Sequence, residues 1–204
     1  MGFGLLLAGY ISVLGFLPDM FVYYDYLIYI AVAGGLVMLA GFVRLREYNI
    51  YFRIMKYICI VYILILLGFT PFLVIKHSDV FMQDFMFISK IIRIFLLFIF
   101  HYFMLWGILS LAKSIDNTKV IKGAKRNIYL TYIYFPASLL GLFNISDAYY
   151  YIPIFLGLIY FGMMIIVLFS CYSRITYEGH DEEIEEKLKK IDEKSGRRNT
   201  GKKR

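Results

Sequence analysis

The chain has 204 residues, 60% of them hydrophobic and 19% aromatic, with a formal net charge of +7 and positive mean hydropathy. A soluble domain is nearer about 45–50% apolar and has no single core able to hide this excess, so a free-standing water-soluble enzyme or binding module is excluded. Two cysteines, Cys59 and Cys171, fit neither a CxxC nor a zinc spacing and read as small packing residues.

Up to about Tyr172 the natural solvent is lipid. A membrane-crossing helix needs about 20 mostly apolar residues, and six stretches answer to that: 3–18, 26–43, 57–75, 91–112, 127–145 and 152–172. The expected fold is therefore all-α: a polytopic membrane domain over 1–175 followed by a charged tail over 176–204. The abundance of Tyr, Phe, Ile and Lys points to an AT-rich bacterial genome.

The first stretch ends at Pro18-Asp19. It lacks the basic start and small-residue cleavage site of a secretory signal and is read as a span. It places Gly4, Ala8 and Ser12 four residues apart. Small residues at this spacing let helix backbones approach closely in lipid, either within the bundle or against a partner subunit. The connection 19–25 holds Asp19 and Asp25 and no cation, and Tyr23, Tyr24 and Tyr26 crowd its end. The second stretch carries another small-residue pair, Ala31 and Gly35.

The segment 44–56 then brings Arg44, Arg46, Arg53 and Lys56. The third stretch contains Pro71, which a bundle in lipid tolerates better than a soluble helix does. From Ser78 to Leu111 the sole helix breaker is Gly107, so the chain is expected to form one long helix there, capped by Ser78 or Asp79. Such a helix is about 50 Å long, more than the ~30 Å apolar slab demands.

This fourth helix carries the main candidate site. At about 100° per residue, Asp79, Gln83, Lys90, Arg93 and His101 fall within roughly an 80° wedge. A charge near the bilayer centre costs at least about 2.5–3.5 kcal/mol. The stripe is therefore expected to face the bundle, lining an outward-open cationic cleft with Gln83, Lys90, Arg93 and His101 as ligand-binding candidates. The competing reading has Lys90 and Arg93 snorkelling to the outer interface and His101 bonding a neighbouring helix.

The segment 113–126 holds Lys113, Lys119, Lys122, Lys125 and Arg126. The fifth stretch contains Pro136 and the pair Ala137 and Gly141. The connection 146–151 again has no cation, but three tyrosines, Tyr149, Tyr150 and Tyr151, read with the earlier ones as an aromatic belt. From Ser173 onward there are ten basic residues. The three basic segments hold 19 of the 22 Lys and Arg. That asymmetry predicts both termini in the cytoplasm and a multi-pass location in the cell membrane.

In the tail, residues 180–194 (HDEEIEEKLKKIDEK) read as a short charged helix with Glu–Lys pairs four apart. Ile184, Leu188 and Ile191 form an apolar stripe too short for a coiled coil, and are partner-binding candidates. The end, SGRRNTGKKR, is basic and suits anionic lipid headgroups. Nucleic acid is only weakly signalled.

Several motifs fail. GRRNTGKK misses the final Ser or Thr of a phosphate-binding loop and follows no strand. Asn144-Ile145-Ser146 is a sequon at the outer boundary that a bacterial chain rarely uses. MGFGLL lacks the hydroxyl residue for myristoylation. There is no HExxH or G-x-S-x-G, and His77, His101 and His180 are too scattered to predict a metal. No cofactor is expected.

In size and threading alone, six such helices with inner termini resemble the substrate-binding subunits of vitamin importers, with no motif in common. The leading expectation is a non-enzymatic accessory, sensor or anchoring subunit. The alternatives are a small-molecule transporter, or substrate-binding transporter subunit, using the fourth-helix cleft, and an intramembrane enzyme with His101 as acid or base.

Overall fold

The computed structural model describes residues 2–14, 27–74, 79–143 and 147–175. Among these residues the chain is all-helical: α1 (Gly2–Leu14), α2 (Leu27–Leu45), α3 (Ile50–Val74), α4 (Asp79–Ser114), α5 (Thr118–Leu140) and α6 (Asp147–Ile175). A single turn of 3-10 helix, Gly141–Phe143, follows α5. Three helices are long and apolar enough to cross a membrane, over Ile50–Gly68, Lys90–Ser114 and Tyr151–Ile175.

The other three do not reach that combination of length and hydropathy over their described residues. α1 and α2 are apolar over the shorter runs Gly2–Val13 and Tyr29–Leu45. α5 begins with four cations, Lys119, Lys122, Lys125 and Arg126, and gives way to the 3-10 turn at Gly141, before the expected end of the span at 145. The long fourth helix is present as one element of 36 residues. The capping residue proposed at Ser78, the connections at 15–26 and 144–146, and the tail from 176 lie outside the described residues.

Each helix packs on the next in sequence, and α6 returns to α1, so the six form a closed ring. Two kinds of residue fill it. At the α1–α2 crossing the helices meet backbone to backbone through Gly9 and Gly34. A Cβ on Gly9 would lie 2.6 Å from the Gly34 carbonyl oxygen, and one on Gly34 would lie 2.9 Å from the Gly9 carbonyl oxygen. Elsewhere large aromatic side chains span the interior. Phe42 of α2 stands edge-on to Phe100 of α4 at 5.8 Å, and Phe3 of α1 stands edge-on to Phe52 of α3 at 5.9 Å. In lipid, where apolar burial drives little, such close packing and dispersion hold helices together.

Two tight turns make the hairpins α2–α3 and α4–α5. Asn49 caps α3 by accepting the Tyr51 amide at 3.0 Å. Asn117 caps α5 by accepting the Val120 amide at 3.3 Å. α4 ends in a Schellman motif: the Asn117 amide donates to the Ala112 carbonyl at 2.9 Å and the Asp116 amide to the Lys113 carbonyl at 3.3 Å. That geometry forces Asp116 to a φ of 55°, a left-handed conformation that suits glycine. Asp116→Gly is expected to stabilise the protein by about 1 kcal/mol, read as a higher unfolding temperature in detergent with helix content unchanged.

Candidate functional site

α4 turns two of its polar side chains into the bundle. Arg93 is 9% exposed and His101 1%. Tyr62 of α3 is buried in the same interior, its ring 6.3 Å from that of Phe100 on α4. Lys90, a turn nearer the start of α4, is half-buried. Gln83 lies on the described backbone of α4, with its side chain outside the described residues.

His101 sits at the centre. Its Nδ1 is 2.7 Å from the carbonyl oxygen of Leu97, one turn back, and its Nε2 is 2.8 Å from the hydroxyl of Tyr10 on α1. The protons follow from the chemistry of the partners. A carbonyl only accepts, so Nδ1 carries the hydrogen and donates it to Leu97. Nε2 then keeps its lone pair, and the Tyr10 hydroxyl donates to it. The neutral ring is thus fully bonded. A second proton on Nε2 would make Tyr10 the acceptor and leave the tyrosine proton without its present destination.

Aromatic rings close around this imidazole. Phe135 of α5 lies at 5.8 Å between centroids, with Tyr160 and Phe161 of α6 at 5.2 and 5.8 Å. Tyr10 itself stands edge-on to the imidazole at 5.6 Å. The one histidine in the described residues therefore ties α4 to α1 by a hydrogen bond and to α5 and α6 by ring contacts.

A second buried polar group continues between α5 and α6. The Thr131 hydroxyl donates to the Asn127 carbonyl at 2.8 Å and so receives the proton of the Tyr160 hydroxyl, 3.0 Å away. The Asn127 side-chain amide donates to the Met164 sulfur at 3.2 Å, and its side-chain oxygen is buried with no hydrogen-bond partner. Tyr160 stacks on Tyr134 at 5.0 Å and touches the His101 ring, so the two polar groups share one wall.

Of the candidates read from sequence, Arg93 and His101 are thus inward on one helix. Tyr10, Asn127, Thr131 and Tyr160 were not among them. Asn127 and Thr131 did carry a signal, two polar residues one turn apart at the start of an apolar run. Tyr10 carried none. The small-residue set on α1 is divided: Gly4 faces the Tyr172 ring of α6, Ala8 is exposed, and the Ser12 hydroxyl donates back to the Ala8 carbonyl at 2.9 Å. Ile184, Leu188 and Ile191 lie outside the described residues.

Chemically, this arrangement holds helices in register. Among the described residues no three His, Cys, Asp or Glu side chains gather as a metal site. Comparison with family models, with curated proteins and with solved structures finds no match to this chain.

Proposed function

We propose that the chain is a non-enzymatic integral membrane protein, an accessory, sensor or anchoring subunit. Its six helices each cross the cell membrane, with both termini in the cytoplasm and the charged tail available to a protein partner or to anionic headgroups. The observation that carries this reading is the state of His101. Both ring nitrogens are engaged and rings from three other helices enclose it. A general acid or base needs a nitrogen within reach of a substrate proton, and this imidazole is committed to packing. The basic turns at 44–56 and 113–126 support the threading.

The transport alternative keeps one observation in its favour, the inward turn of Arg93. A single complementation experiment separates the two. In a strain lacking the gene, the full chain restores the wild-type phenotype. Residues 1–175 insert to the same level and do not restore it, whereas Arg93→Gln does. The reverse pattern, rescue by the truncated chain and none by Arg93→Gln, overturns the accessory reading in favour of transport.

A further inference from the structure

We propose that the outward face of α5 is a binding site for the headgroup of an anionic phospholipid in the inner leaflet. This rests on the threading proposed above, which puts the α4–α5 turn in the cytoplasm.

The face is built by helical spacing. Val120, Ala124, Asn127 and Thr131 share the side of α5 that is buried in the bundle. Lys122, Lys125, Arg126 and Tyr129 share the opposite side, and all are exposed. Tyr132 and Ile133 continue it, exposed as well. Read along the helix, this side passes from cations to tyrosine to aliphatic side chain within about 16 Å. That is the order in which a helix leaving the cytoplasm meets phosphate, glycerol and acyl chain.

Charge complementarity selects the occupant. Four cations stand in the first turns of α5, where no acid accompanies them. At a helix N-terminus these cations oppose the macrodipole rather than offset it. The Arg46–Glu47 pair, at 3.8 Å, belongs to the other hairpin and leaves this face untouched. An anionic headgroup with two acyl chains satisfies both halves of the surface: its phosphate bonds Lys122 and Arg126 beside the Tyr129 hydroxyl, while its chains cover Tyr132 and Ile133. A zwitterionic headgroup brings its own cation and gains less.

The test titrates the purified full chain, in detergent, with phosphatidylglycerol or with phosphatidylcholine of the same chains, and counts bound lipid by native mass spectrometry. Phosphatidylglycerol binds the wild type more tightly. Replacing Lys122, Lys125 and Arg126 together by glutamine, all on the exposed side and so compatible with folding, weakens it about a hundredfold, each cation being worth about a factor of five. The matched control, Arg44→Gln with Arg46→Gln and Arg53→Gln, leaves it within about twofold. Equal weakening by both triples means diffuse charge and overturns the site, as does equal binding of the two lipids by the wild type. Threading is read separately. A Lys119→Cys chain, whose native Cys59 and Cys171 are buried, takes up a membrane-impermeant maleimide only after cells are permeabilised. Labelling in intact cells overturns the inner-leaflet placement and the threading together, whatever the lipid titration gives.

Discussion

Gly9→Ala is expected to lower the stability of the bundle by about 3 kcal/mol, at the upper end of overpacking penalties. The added methyl would stand 2.6 Å from the Gly34 carbonyl oxygen and 2.7 Å from the Met38 amide nitrogen. Both are backbone atoms of α2, so no rotamer change relieves the clash and α1 must move away. That motion also strains the Tyr10–His101 bond, because Tyr10 is the next residue on α1. Gly34→Ala is expected to act alike, from the other side of the same contact. The pair should be less damaging than the two effects added, because a crossing already opened has little left to lose. Gly4→Ala is the contrast. Its methyl would meet the far edge of the Tyr172 ring at 3.1 Å, a side chain able to swing aside. Its expected effect stays within about 0.5 kcal/mol. Unfolding of purified protein in detergent, by heat or by added denaturing surfactant, ranks the three. A Gly9→Ala chain as stable as wild type would mean that α1 and α2 do not cross here.

That contrast shows where sequence reading stops. Small residues four apart mark helices able to approach closely, and α1 carries one such row through Gly4, Ala8 and Ser12 and, off that row, the glycines Gly2 and Gly9 seven apart. Spacing alone does not say which of these turns toward which neighbour, since that depends on the rotation of α1 about its axis. Rotation is fixed by the whole ring, in particular by Leu6 and Phe3 filling the interior. The fourth helix was more legible. From Ser78 to Leu111 nothing but Gly107 interrupts it, and α4 is continuous. Gly107 breaks nothing: it lets the Phe52 ring of α3 lie against the helix, where a Cβ would stand 3.0 Å from that ring. The 100° rule put Arg93 and His101 on one side because the cost of facing acyl chains acts on each alike. What the rule cannot supply is a partner. Tyr10 lies 91 positions from His101 in the chain, and nothing in the sequence sets it apart from the other tyrosines among the 19.

The second large effect lies at that bond. His101→Ala is expected to cost about 3 kcal/mol, by analogy with truncating a buried aromatic ring: the imidazole is removed from among Tyr10, Phe135, Tyr160 and Phe161, and the Tyr10 hydroxyl loses its acceptor. Shape and polarity separate in a second substitution. His101→Phe keeps a ring of similar size, so its cost reflects mainly the orphaned Tyr10 hydroxyl, about 1–2 kcal/mol. Tyr10→Phe leaves Nε2 with no donor and should cost about as much. In the double variant neither orphan exists, since two apolar rings meet where two polar ones did. Its stability should therefore exceed the sum of the single losses by about 1 kcal/mol. Interhelical hydrogen bonds in membranes average about 0.6 kcal/mol and reach about 1.7, and a bond buried this fully belongs in the upper part of that range. The direction of the proton sharpens the result. If Tyr10 donates to Nε2, His101→Gln can still accept from Tyr10 through its side-chain oxygen and should recover part of the loss. Losses that simply add across the cycle, with no recovery by Gln, would mean that Tyr10 and His101 are neighbours without a bond, and the hold of α1 on α4 would then rest on ring packing alone.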